Sequence, residues 1–174
     1  MDAPASEAPT SAATLRIVRA STLEHLKGAF RLTCAMHPET DFRHYPFNPE
    51  KAGRALGAWM NIPDRMVLLL ALRGDEVVGM LGASLKDAWF SDEGFASEDF
   101  LYVRADERGS RAAFMLVREF HAWRREKGVK HWRMGVGTAH ATGAACARLY
   151  EHFGARFVGG NYAGHDQGET PCAA

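Results

Sequence analysis

"LYVRADERGSRAAFMLVREFHAW", Leu101 to Trp123, is the stretch on which the reading of the fold turns. An apolar, strand-like run ending at Val103 breaks into a charged turn, Arg104 to Ser110. It resumes with apolar positions at Ala112, Met115, Leu116, Phe120 and Trp123, close to a helical period. A strand passing through a glycine-containing basic turn into a helix is a common phosphate holder, because the first amides of a helix have no partner inside it and favour an anion. Gly109 can take backbone angles that aim amides inward, and Arg104, Arg108 and Arg111 add forked donors. The small Ala112 and Ala113 leave room for a bulky group at the first helical turn. The spacing alone leaves a plain solvated surface turn equally open. The turn matches neither Gly-x-x-x-x-Gly-Lys nor Gly-x-Gly-x-x-Gly, which argues against nucleotide hydrolysis and dinucleotide binding.

Upstream of this turn, "LRIVRA" from Leu15 alternates as a first strand, and the next segment reads as a helix capped by Ser21 or Thr22. A polar and aromatic connection, "HPETDFRHYPFNPE", leads to a second helix with Asn48 as cap and Pro49 at its first position. Met66 to Leu72 and Val77 to Leu85 form a hairpin around an Arg-Gly-Asp-Glu turn, and "ASEDFLYV" is a fourth strand. Downstream, "KHWRMGVG" reads as a fifth strand, "ATGAACARLYEHFG" as a helix ended by Gly154, and "ARFVGGNYA" as a sixth strand. An antiparallel meander followed by a strand–helix–strand crossover implies an α/β (α+β) fold. Its central sheet is mixed and mostly antiparallel, with helices on both faces.

The 174 residues suit one domain, assigned to 15–166, and 47% hydrophobic residues can fill its core. Residues 1–14, rich in Ala, Pro, Ser and Thr, read as a disordered lead-in without signal-peptide character, and 167–174 as a flexible tail. Basic and acidic residues balance at 21 each, which argues against nucleic-acid binding by the surface as a whole. No apolar run approaches the ~18 residues of a membrane span. Cys34, Cys146 and Cys172 are odd in number and far apart, a pattern that suggests free thiols in a reducing cytoplasm. No His/Cys/Asp/Glu cluster has zinc spacing, so no metal is expected.

Val103 followed by "RGSRAA", Arg108 to Ala113, resembles the acetyl-coenzyme A loop of the GNAT superfamily of N-acetyltransferases. There a strand ending in Val precedes Arg/Gln-x-x-Gly-x-Gly/Ala at a helix start. Arg108 and Ala113 match the first and last positions, whereas Arg111 replaces the usual glycine and Ala105 a frequent proline. Arginine at that place is similar to a variety associated with phage and prophage genomes. "ARLYEHFGARFVG", Ala147 to Gly159, resembles the family's second signature, a helix carrying Leu-Tyr-Glu and ending in Gly. The resemblance spans roughly Leu15 to Ala163.

The resemblance implies an acetyl-coenzyme A-dependent N-acetyltransferase in which Tyr102, Val103, Arg108, Gly109, Ser110, Arg111, Ala112, Ala113 and Tyr150 bind the cofactor. It implies a sheet bulge near Tyr102 that exposes an amide, and it leaves a homodimer open. Transfer to an alkylamine of pKa ~10.4 must recover the roughly 10³-fold scarcity of neutral amine at pH 7, which one placed carboxylate can do. Tyr150 is the implied acid on the departing thiolate and Glu98 the favoured base. Strand alternation sends Glu98 and Asp99 to opposite faces. His37, Glu39, Asp41, His44 and Tyr45 stand where the family shapes its acceptor site; a solvated loop with Tyr45 and Phe47 tucked into the core is the alternative. His140 is a weaker acid/base candidate. The acceptor is a small-molecule or protein amine. Two other readings stand beside this one: a catalytically silent acyl-coenzyme A-binding protein, and a nucleic-acid-directed relative that uses Arg104, Arg108, Arg111, Arg118, Arg124, Arg125, Lys127, Lys130 and Arg133 on a phosphate backbone.

Overall fold

A computed structural model describes residues 13–137 and 141–161. In chain order they form β1 (Leu15–Arg19), α1 (Leu23–Met36), two short 3-10 turns (His37–Glu39 and Asp41–His44), α2 (Pro49–Asn61), β2 (Met66–Arg73), β3 (Glu76–Lys86), β4 (Phe95–Val103), a 3-10 turn (Ala105–Glu107), α3 (Ala112–Glu126), β5 (His131–Arg133) and α4 (Gly143–His152). The expected caps are in place. Thr22 Oγ1 accepts from the His25 amide at 3.1 Å and Asn48 Oδ1 from the Lys51 amide at 2.9 Å.

The strands lie in the order β1-β2-β3-β4-β5, antiparallel except for the β4–β5 pair, which α3 links as a parallel crossover. Both faces are covered. Leu68, Leu70, Leu72, Val77 and Met80 pack under α1 and α2, while Leu69, Ala71, Val78, Leu81 and Ala83 pack under α3. This two-sided burial is why β2 reads as an unbroken apolar run and not as an alternation. Among α3, β5 and α4, the His121 ring stands edge-on to Trp132 at 4.6 Å and stacks on Phe153 at 5.1 Å. Burial lowers the pKa of His121 to about 4, so the ring packs as a neutral group and helps fix α4 against the sheet.

Three expectations need correction. The bulge in β4 lies at Asp99, three residues before Tyr102. Gly82 pairs with Phe100 and Ala83 with Glu98, leaving Asp99 as the extra residue. The expected sixth strand is absent over 155–161, and Tyr162 and Ala163 lie outside the described residues. Phe157 and Val158 are exposed there, and the fifth strand is only three residues long, offering little edge to pair with. Tyr45 is 65% exposed and not tucked into the core; only Phe47 turns inward, against Phe30 and His37.

Candidate active site

The parallel pairing of β4 with β5 ends at Ser97 and Arg133, so Glu98 to Val103 have no strand partner on that side among the described residues. A cavity of about 390 Å³ opens through this gap. One wall is Val103, Gly109, Ser110 and Ala113 from the turn into α3, facing Gly143, Cys146 and Tyr150 of α4. Beyond the bulge the cavity continues to Met36, Thr40, Phe42, Phe100 and Tyr102 on the α1 side of the sheet. The site is thus one passage reached from both faces.

Glu98 and Tyr150 meet at its floor. The Tyr150 hydroxyl donates to Glu98 Oε2 at 3.4 Å, and the Gly135 amide donates to the same oxygen at 3.1 Å. Glu98 lies deep in the protein, and its accessible part faces the cavity. Burial raises its pKa to about 7, against the opposing pull of the Gly135 and Tyr150 donors. Burial and the neighbouring Glu98 raise Tyr150 far above the usual phenol range, so it stays a hydroxyl. Burial also raises the Cys146 thiol, which keeps it protonated and a poor nucleophile.

The bulge sorts the next two side chains. Asp99 takes hydrogen bonds from Trp59 Nε1 at 3.0 Å and Ser84 Oγ at 2.5 Å, with Lys86 Nζ at 3.5 Å, all on the face away from Glu98. The expected division of Glu98 and Asp99 between the two faces therefore holds.

Along the rest of β4, Arg104 N–H donates to Val78 on the β3 side at 2.9 Å, so strand alternation turns the Val103 peptide groups toward the gap. Arg108 Nε donates to Val103 O at 3.1 Å in that gap. The other end of Arg108 donates to Glu39 Oε2, and the Tyr102 hydroxyl donates to Glu39 Oε1 at 2.8 Å. Arg108 is therefore turned into the cavity, tying the segment after α1 to the turn before α3. Gly109 has φ +88, a conformation that favours glycine, and a side chain there would meet open space. Ser110 Oγ accepts from the Ala112 amide at 3.2 Å, and the first main-chain bond of α3 runs from Met115 to Arg111. The amides of Ala113 and Phe114 thus have no carbonyl partner within the helix, as at any helix start. Ala112 is buried beneath this turn, and Arg111 lies outside it with Arg118 and Arg73 around a shallow basic depression.

Of the acceptor-loop candidates, Glu39 reaches the site, whereas His37 bonds the Tyr45 carbonyl at 3.1 Å and Asp41 lies 3.9 Å from His44. His140 is outside the described residues. Met36, Thr40, Phe42, Phe100 and Gly135 line the cavity without having been singled out by sequence. Only the glycines after β5, in "RMGVG", hinted that backbone amides were needed there.

The model of the acetyltransferase (GNAT) family matches residues 28–155. No curated protein matches the chain. An aminoglycoside acetyltransferase from an uncultured soil metagenomic sample, solved with sisomicin, has a TM-score of 0.64 at 17% identity, covering 87% of this chain and 97% of its own. The ribosomal-protein-alanine N-acetyltransferase from Brucella melitensis biovar Abortus 2308 gives 0.63 at 15%, over 88% and 99%. AAC(6')-Iy, solved with the bisubstrate analogue CoA-S-monomethyl-acetylneamine, gives 0.65 at 15%, also over 88% and 99%. At these identities the structures speak to the fold. Among the described residues no helix is long and apolar enough to cross a membrane.

Proposed function

This chain belongs to the acetyltransferase (GNAT) family, and we propose that it moves an acetyl group from acetyl-coenzyme A directly to a primary amine. The observation that carries the reading is the meeting of Glu98 and Tyr150, 3.4 Å apart, at the floor of a cavity bounded by the start of α3. The residues fit the cofactor. The unsatisfied amides of Ala113 and Phe114, the open turn at Gly109 and the positive charge of Arg111 suit its pyrophosphate. The inward-turned peptide of Val103 suits the pantetheine arm or the thioester oxygen. When bound, acetyl-coenzyme A supplies an activated acyl carbon and a thiolate leaving group.

The chain's own residues then move one proton. An amine that arrives as ammonium first loses one proton to solvent; Glu98, with a pKa of about 7, is substantially ionised at neutral pH and accepts the second, shed as the N–C bond forms. The Tyr150 hydroxyl, relieved of its charged acceptor, turns to the sulfur and gives up its proton. The proton on Glu98 then restores the phenol. The N–C bond forms, the C–S bond breaks, and the amine proton ends on the thiol. A thiolate whose conjugate thiol has a reference pKa of about 8.5 would not by itself draw a proton from so weak an acid, so the relay through Glu98 is what completes the transfer.

The nucleic-acid reading is weakened by where its arginines are engaged. Arg104 pairs with Glu76 and Asp106, Arg108 with Glu39, and Arg124 with His121 and main-chain carbonyls. The test is calorimetric titration with acetyl-coenzyme A, with ATP and NAD as controls, followed by thiol release in the presence of primary amines. Selective binding with amine-dependent thiol release supports the reading. Binding without turnover supports the silent alternative, and no binding removes the cofactor assignment.

A further inference from the structure

We propose that the acceptor is a single primary amine carried on an apolar, aromatic-type body, and not a polycation. This rests on the acetyl-transfer reading only for which end of the cavity receives the amine.

The acceptor end holds carboxylates that are already matched. Glu39 is held by Arg108 and by the Tyr102 hydroxyl. Asp99 is held by Trp59, Ser84 and Lys86. Glu107, which also lines the cavity, is held by Arg73, so three negative charges face three positive ones. A cation leaving water for this chamber needs a partner of its own, or it loses more in desolvation than it gains. Among the described residues lining the cavity, Glu98 alone is a carboxylate without a cationic partner, and it serves one amine. A polyamine or aminoglycoside would bring several ammonium groups to a chamber that can answer one of them.

The walls are apolar instead. Met36 and Phe100 line the acceptor end, with Trp59 standing edge-on behind Phe100 at 5.1 Å. Phe42, 52% exposed, lines the cavity from the segment after α1. Phe100 is on this face because the bulge at Asp99 puts both residues there, and Gly82 opposite leaves its ring the room it needs. The sheet irregularity that frees β4 from β5 thus also supplies an aromatic wall, and a flat apolar body attached to the amine complements it.

The experiment is calorimetric titration of phenylethylamine, tryptamine, spermidine and sisomicin into the full chain in the presence of coenzyme A, repeated with Phe42→Ala. The proposal expects the arylalkylamines to bind at least about tenfold tighter than the polycations, and Phe42→Ala to weaken them by about tenfold. Because Phe42 is half exposed, its truncation is expected to leave the fold intact. Tighter binding of spermidine or sisomicin, absence of arylalkylamine binding, or indifference to Phe42→Ala overturns the proposal. Arylalkylamine binding that Phe42→Ala weakens, without any coenzyme A binding or thiol release, upholds an apolar amine site at this end of the cavity and overturns the acetyl-transfer reading instead.

Discussion

Tyr150 donates its hydroxyl to the Glu98 carboxylate across 3.4 Å, so the acid and the base proposed for the reaction form one hydrogen-bonded pair. The buried carboxylate titrates at about 7, where the phenol remains protonated. Base catalysis needs the ionised form. Turnover is therefore expected to rise with pH through about 7 and then to level off. Glu98→Gln should remove that rising limb and lower kcat by ~10²–10⁴. The check is a kcat–pH profile of both proteins; an unchanged limb in the variant would assign it to another group.

Tyr150→Phe keeps the ring's packing and removes the proton that the proposed relay delivers to the sulfur. The expected outcome is a kcat reduced by ~10² or more, with acetyl-coenzyme A affinity within about twofold of wild type. Steady-state kinetics beside calorimetry separates the two quantities. Equal turnover would take Tyr150 out of the proton path.

Glu98 also carries a stability signature. Its folded pKa of about 7 exceeds the unfolded value near 4.5, so the folded protein binds the extra proton between those limits. The stability this gives is complete below about pH 4.5 and is lost as pH rises through 7, a cost of about 3 kcal/mol at alkaline pH. Glu98→Gln escapes that cost. The Tm of the variant relative to wild type should climb between pH 4.5 and 7.5 and then level off, as thermal unfolding across that range would record.

How much of this was legible in the sequence depended on the range of the signal. The hairpin, the caps at Thr22 and Asn48, and the turn from Val103 into α3 are local patterns, and each lies where the residues indicate. Tyr150 and Glu98 were named from motif resemblance, but their meeting joins residues 52 apart. The bulge at Asp99 has no local mark, because what accommodates it is Gly82 on the neighbouring strand. The Arg108–Glu39 pair spans 69 residues and turns toward the cavity an arginine that the motif assigns to phosphate. Phe157 and Val158 look like strand residues, yet a strand needs an edge to pair with, and β5 offers three residues.

That turn of Arg108 separates it from Arg111. With its guanidinium on Glu39 and the Val103 carbonyl, Arg108 has fewer donors left for an incoming phosphate, whereas Arg111 stands beside the unsatisfied helix start. Arg111→Ala is expected to weaken coenzyme A by about 1.5–3 kcal/mol, and Arg108→Ala by less. Arg108→Ala should instead release the segment after α1, seen as faster amide exchange around Thr40. Calorimetry and hydrogen exchange on the two variants decide between them, and a reversed order of affinities would return Arg108 to the phosphate.

The remaining expectation concerns how the bulge is tolerated. A Cβ at Gly82 would lie 2.4 Å from the Phe100 ring, a contact that forces the ring or the strand to move. Overpacking of this kind costs typically ~1–3 kcal/mol. Gly82→Ala should therefore lower stability by about that amount in denaturant titration, even though alanine suits a strand better than glycine. Adding Phe100→Ala removes the clash, at the expense of the ring's own contacts with Trp59. If steric conflict is the cause, Gly82→Ala will destabilise the Phe100→Ala background far less than wild type, and the double-mutant cycle will show coupling of at least 1 kcal/mol, about the scale measured for residues in contact. Independent effects would mean that Gly82 serves the backbone of β3 and not the aromatic wall.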